Sequence, residues 1–116
     1  MQLKVYYIED EESLCENFKD YFSSAEVIVT TFSDPQTAIA HIQAHPPDLL
    51  FIDYRLSGTT GDKVAKLLEP KLPKFLITGD ICFKTEFKFD GVISKPYDES
   101  AVASVISSHL SAKKTA

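Results

Sequence analysis

Apolar residues fall in five short runs separated by longer polar or amphipathic stretches. Leu3 to Ile8 (LKVYYI) is rich in β-branched and aromatic residues and reads as a buried strand. Between Glu11 and Ser24, Leu14, Phe18, Tyr21 and Phe22 recur at i, i+4, i+7 and i+8 with Glu and Lys on the other face, which predicts an amphipathic helix. Glu26 to Phe32 (EVIVTTF) is again strand. Asp34-Pro35 then supplies an N-cap and a proline at the first helical position, opening a helix through about His45. Pro46-Pro47 stops that helix, and Asp48 to Asp53 (DLLFID) is a buried strand that ends abruptly on a carboxylate.

The second half continues the alternation. A Gly/Ser/Thr loop from Tyr54 to Gly61 leads into a short helix of Val64, Leu67 and Leu68, closed by Glu69-Pro70. Lys74 to Thr78 (KFLIT) is the fourth strand, broken by Gly79-Asp80. Ile81 to Phe89 fits both periods: Phe83 and Phe87 suit a helix, while Phe83, Phe87 and Phe89 alternate with Lys84, Glu86 and Lys88. Gly91 to Ser94 is a short fifth strand, Lys95-Pro96 forces a break, and Asp98 caps a last helix with Val102, Val105, Ile106 and Leu110 inward. Five β-α units with connections long enough to cross over predict a doubly wound α/β fold, a parallel sheet covered on both faces. The 116 residues, 1–116, fit one such domain without a disulfide or metal staple.

Composition narrows the function. Hydrophobic residues at 44% and charged residues at 25% are globular usage and exclude a disordered or collagen-like chain. A net charge of −5, with no basic run longer than Lys113-Lys114, argues against direct nucleic-acid binding. No apolar stretch is long enough to span a bilayer and Met1 to Asp10 lacks the features of a signal peptide, so a cytoplasmic protein without membrane contact is expected. Cys15 and Cys82 have no metal-binding or redox spacing and read as small buried apolar residues. His41, His45 and His109 fall on helices, away from the strand ends, and read as surface residues.

In an open parallel sheet the functional crevice lies beyond the carboxyl ends of the strands. Strand one ends on Glu9-Asp10, strand three on Asp53, strand four on Thr78 and strand five on Ser94-Lys95. Three carboxylates gathered there repel one another unless a cation sits among them. Oxygen ligands without His or Cys favour Mg²⁺ over zinc, and Mg²⁺ characteristically completes its shell with water and phosphate oxygens. With Asp53 as nucleophile and Lys95 and Thr78 binding phosphoryl oxygens, these parts suffice to form an aspartyl phosphate.

On these residues the chain resembles the receiver domain of bacterial two-component response regulators from Leu3 to about Leu110. The shared features are Glu9-Asp10, Asp53, Gly61, Thr78 and Lys95-Pro96. The resemblance implies a flavodoxin-like sheet of strand order 2-1-3-4-5. It further implies that Asp53 accepts phosphate from the phosphohistidine of a sensor histidine kinase or a phosphotransfer protein. By the same resemblance Glu9, Asp10 and Asp53 hold Mg²⁺ together with the backbone carbonyl of Arg55, and Thr78 and Lys95 read the phosphoryl group. Such a protein is a signalling receiver of a two-component or phosphorelay pathway and not an enzyme, beyond slow self-dephosphorylation.

Three departures from the family pattern stand out. Ser57 replaces the proline usual four residues after the phosphoacceptor, and Val92 replaces the aromatic switch residue three before the lysine. The stretch from Thr78 to Lys95 is also short for a full helix and its loops, so helix four is expected to be shortened or absent. Receivers commonly dock partners or dimerise on the face that this helix helps build, a homodimer being one option, so the stretch Phe83 to Phe89 is expected either to present a different surface or to be core. The departures motivate a second reading, a phosphorylation-independent pseudo-receiver that acts as a protein-protein interaction module. A phosphatase using an aspartate nucleophile is disfavoured because Arg55 stands where an Asp-x-Asp motif needs its second acid. A dinucleotide binder is disfavoured because Glu9-Asp10-Glu11 follows the first strand where a glycine-rich loop is needed.

Overall fold

The computed structural model describes residues 2–80, 85–96 and 99–115. Along the chain run β1 (Leu3–Ile8), α1 (Glu12–Phe22), β2 (Val27–Phe32), α2 (Pro35–Ala44), β3 (Leu49–Asp53), β4 (Arg55–Leu56), β5 (Thr59–Thr60), α3 (Gly61–Lys66), β6 (Lys74–Thr78), β7 (Gly91–Ser94) and α4 (Glu99–Thr115). Five strands form one sheet in the order β2-β1-β3-β6-β7, every neighbouring pair parallel. This is the expected 2-1-3-4-5 order with the small hairpin β4–β5 inserted after the third strand. The order reverses between β1 and β3, which places a crevice beyond their carboxyl ends.

Alternation along the strands divides the core between the two faces of the sheet. Leu3, Val5, Tyr7, Leu49 and Phe51 meet Phe18 and Phe22 of α1 and Val102 and Ile106 of α4. Tyr6, Ile8, Leu50 and Ile52 meet Ala38 and Ile42 of α2 and Val64 and Ala65 of α3. All five residues of β3 are buried, as expected for a central parallel strand covered on both sides.

The helices follow the sequence pattern with local shifts. In α2, Pro35 occupies the first turn and the Asp34 carboxylate accepts from the Thr37 N–H at 3.0 Å. In α1 the buried positions are Cys15, Phe18 and Phe22, whereas Leu14 and Tyr21, expected inward, are exposed. Cys15, Phe18 and Phe22 lie on one helical stripe, and the Cys15 thiol reaches the Glu9 carbonyl at 3.1 Å, so the helix is rotated towards the smaller residue. In α3 the helix starts at Gly61 and ends at Lys66, leaving Leu67 exposed as its C-cap although the pattern placed it inward. Val102, Val105, Ile106 and Leu110 of α4 all pack on the first core cluster as predicted. His41 and His45 are exposed, but His109 is half-buried with its ring edge-on to Phe75, which corrects its assignment to the surface.

The segment between β6 and β7 departs most from a regular β-α unit. Among its described residues, 79–80 and 85–90, there is no helix. Phe87 and Phe89 contact each other at 4.8 Å between ring centroids and pack against the second core cluster, so the ring of Phe87 belongs to the core. Phe83, Cys82 and the Asp98 cap lie outside the described residues. The segment is tied down by Lys74, a lysine only 2% exposed. Its Nζ donates to the carbonyls of Glu69 and Leu72, at 2.5 and 2.9 Å, and lies 5.9 Å from the centroid of the Phe87 ring. Its backbone N–H donates to the Asp90 carboxylate, and Asp90 donates back to the Lys74 carbonyl.

Candidate functional site

The strand ends converge as the sequence order requires. Parallel pairing carries on past β1, where Glu9 N–H donates to the Phe32 carbonyl, and past β7, where Lys95 N–H donates to the Thr78 carbonyl at 2.7 Å. Glu9, Asp53 and Thr78 are therefore set in the sheet's own frame and are buried, while Lys95 enters from the edge strand. Its ammonium stands 2.6 Å from Asp53 Oδ1 and 3.0 Å from Glu9 Oε1. Above these groups opens a cavity of about 650 Å³ that Asp10, Leu14, Arg55 and Asp80 also line. All six predicted site residues, Glu9, Asp10, Asp53, Arg55, Thr78 and Lys95, thus share one cavity.

The polar partners set each group's state. Asp10 is half-buried and its carboxylate accepts from the Ser57 hydroxyl at 3.0 Å. Thr78 Oγ1 accepts from the Asp80 N–H at 3.0 Å, which leaves the hydroxyl's single proton to be donated elsewhere. The Arg55 guanidinium is exposed and pairs with the Asp80 carboxylate across the cavity's rim. Asp53 Oδ1 is buried without a well-aligned hydrogen bond among the described residues, and the close group facing it is the Lys95 ammonium.

Two buried carboxylates sharing one ammonium leave the site with too little positive charge. Burial pushes Glu9 up to about 7, with Asp53 adding to the rise and the Lys95 hydrogen bond opposing it. Burial also raises Asp53 in spite of its Lys95 partner. Burial alone would lower Lys95, but its close pairing with Asp53 and Glu9 prevails and raises it, so Lys95 stays charged. Because folded Glu9 holds its proton to higher pH than an ordinary carboxyl, its contribution to stability declines as pH rises from about 4.5 to 7. In metal-free buffer the stability difference between Glu9→Gln and the parent is therefore expected to move in the variant's favour over that interval. Urea midpoints measured at both pH values check this, and a difference independent of pH would refute it.

The donor set is made of hard oxygens, which suits a divalent cation such as Mg²⁺. In this arrangement, however, Lys95 takes the space between Glu9 and Asp53, and no three acidic side chains among the described residues converge to hold an ion. The two buried carboxylates, raised in spite of the Lys95 ammonium they share, fit a second cation better than they fit none.

Sequence reasoning missed three contributors. Ser57, read only as a missing proline, holds Asp10; Asp80, read only as a strand breaker, pairs with Arg55; and Leu14 supplies an apolar wall. The signal for Asp80 was present, since it is an acid two residues beyond Thr78 at the functional edge. Ser57 depends on the unpredicted β4–β5 hairpin, whose turn places Gly58 at φ 76° and turns Ser57 towards Asp10.

A doubly wound parallel sheet with acids, a hydroxyl and an ammonium gathered at its carboxyl edge defines a receiver-like α/β protein. Solved receivers share the architecture. The CheY-like receiver domain from Methylobacillus flagellatus has TM-score 0.78 at 20% identity, covering 94% of this chain and 99% of that one. The signal receiver domain of an HD domain-containing protein from Pseudomonas fluorescens Pf-5 has TM-score 0.85 at 17% identity, covering 98% and 90%. The family model for the response regulator receiver domain matches residues 5–107, and the chain belongs to that family. It is also 25% identical over 114 residues to the transcriptional regulatory protein BaeR of Escherichia coli O6:H1, covering 92% of this chain and 48% of that protein. The chain thus spans about half the length of this curated relative. As a receiver domain of two-component response regulators it is a signalling module. Among the described residues no helix is long and apolar enough to cross a membrane.

Proposed function

We propose that this receiver accepts a phosphoryl group on Asp53 from the phosphohistidine of a histidine kinase or phosphotransfer protein. The observation that carries this reading is the Asp53 carboxylate at the floor of an open cavity, facing Lys95 at 2.6 Å. A carboxylate oxygen of Asp53 attacks phosphorus, the phosphorus–nitrogen bond to the donor imidazole breaks, and the electron pair leaves on that nitrogen, which picks up a proton from solvent. Lys95 is charged and placed to follow the carboxylate as it becomes an acyl phosphate, and the free proton of Thr78 is available to a phosphoryl oxygen. Bound Mg²⁺, held by Glu9, Asp10 and Asp53 with the Arg55 carbonyl, would neutralise the charge that otherwise keeps an anionic phosphate away from three acids.

Intact-mass spectrometry after incubation with Mg²⁺ and acetyl phosphate tests this. One phosphoryl adduct is expected on the parent, none on Asp53→Asn, and none when a chelator removes the metal. Absence of any adduct with both acetyl phosphate and a phosphorylated histidine donor would instead support the phosphorylation-independent interaction module.

A further inference from the structure

His41 and His45 are exposed and line no part of the phosphoacceptor cavity. They stand one turn apart at the end of α2, His41 in its last turn and His45 as its C-cap. That helix starts after the carboxyl end of β2 and leads back to the start of β3, so the pair lies at the edge of the sheet opposite Asp53.

Although both are at the surface, the surrounding fold fastens them. The His41 ring rests against Phe32 and Tyr6, with centroids 5.2 and 5.6 Å away. Tyr6 is itself buried and holds the second histidine too, its hydroxyl donating to the His45 carbonyl at 2.9 Å. The His45 N–H donates to the His41 carbonyl at 2.7 Å, and Pro46 keeps the His45 backbone out of the helical region, at φ −137° and ψ 79°. The two imidazoles meet with centroids 5.3 Å apart and planes tilted by 46°, not stacked face to face. An ion bonded at about 2.0–2.1 Å to one nitrogen of each ring, in tetrahedral geometry, would hold the centroids about 5.2 Å apart.

We propose that His41 and His45 form a binding site for a transition-metal dication of the Zn²⁺ or Cu²⁺ class, held through one ring nitrogen of each. Two histidines four positions apart present their rings on one side of a helix, a spacing that metal sites use. Imidazole suits these ions, whereas Mg²⁺ takes oxygen ligands, so this site and the phosphoacceptor cavity select different metals. The negative end of the α2 dipole falls at the same place and favours a cation there. Because Tyr6 and Phe32 already order the pair, little conformational freedom remains to be lost on binding. Among the described residues no third histidine, cysteine or acid joins the two, so water completes the shell and the affinity rests on the two rings.

A Zn²⁺ titration followed by NMR of the imidazole signals tests the site, in buffer with excess Mg²⁺ to compete for the oxygen donors at the other edge of the sheet. The rings of His41 and His45 are expected to shift together and to saturate at one equivalent. His45→Gln, a change at an exposed cap, is expected to weaken the response of His41 about tenfold or more, and His41→Gln that of His45, because a single imidazole loses the chelate advantage. His109→Gln, on α4, is expected to leave the affinity unchanged. Zn²⁺ is also expected to raise the urea midpoint of the parent and not that of His45→Gln, since binding favours the folded state. The site is overturned if neither ring responds. It is equally overturned if His41 binds Zn²⁺ as tightly in His45→Gln as in the parent, which would leave two independent surface histidines.

Discussion

Gly61→Ala is expected to destabilise the protein by about 2–4 kcal/mol and to slow phosphoryl uptake at Asp53. An alanine Cβ would meet the Asp53 carbonyl oxygen at 2.5 Å, Ile52 Cγ2 at 2.9 Å and Leu76 Cδ1 at 3.1 Å. The nearest of these is backbone of the central strand, held by pairing to β1 and β6 on either side, so it cannot swing away as a side-chain tip would. Relief has to come from α3 moving outward, which strains the Gly61 N–H to Tyr54 carbonyl bond and uncovers Val64 and Ala65. Urea unfolding gives the stability and the acetyl phosphate assay gives the uptake rate. A loss below about 0.5 kcal/mol would show that the close approach relaxes freely and plays no part in placing Asp53.

Phe51→Ala is expected to cost about 3–5 kcal/mol, a large share of the 5–15 kcal/mol typical of a domain. Phe51 is fully buried on β3, with its ring 5.5 Å edge-on to Phe18 and 5.8 Å from Phe75. Phe18 is stacked on Tyr7 in turn, so truncation opens a cavity within an aromatic cluster that joins α1 to three strands. The large rings around the gap are anchored on sheet and helix and cannot close in on it fully. The denaturant midpoint is expected to fall at unchanged slope, because the folded state still buries nearly the same surface. A cost under about 1.5 kcal/mol would mean that the cluster collapses into the vacated volume.

Much of the site was legible because β strands translate sequence directly into position. An apolar run that stops on Asp53 puts that carboxylate at a strand end wherever the strand lies in the sheet, and the same holds for Glu9 and Thr78. Helix faces were less legible. Leu14 and Cys15 adjoin in sequence but stand about 100° apart around the helix axis, and hydrophobicity alone favours Leu14. The available room beside the Glu9 carbonyl favours the smaller Cys15 instead, and that room exists only once β1 and β2 have paired. The stretch Ile81 to Phe89 was ambiguous for a related reason: Phe87 fits either period, and its ring is placed by packing on the second core cluster, 5.9 Å from the Lys74 ammonium of β6.

Local periodicity and the stereochemistry of crossover connections already place the five apolar strands, the helices that cross between them and the polar residues at the strand ends, so these are readable from the amino-acid order. The folded chain, and not its amino-acid order, sets Lys95 between Glu9 and Asp53, Ser57 on Asp10 and Lys74 against Phe87. Those contacts join residues from separate elements, most of them far apart in the chain. Their strength comes from burial, which makes an unpaired charge costly and so selects one partner among many that sequence alone would allow.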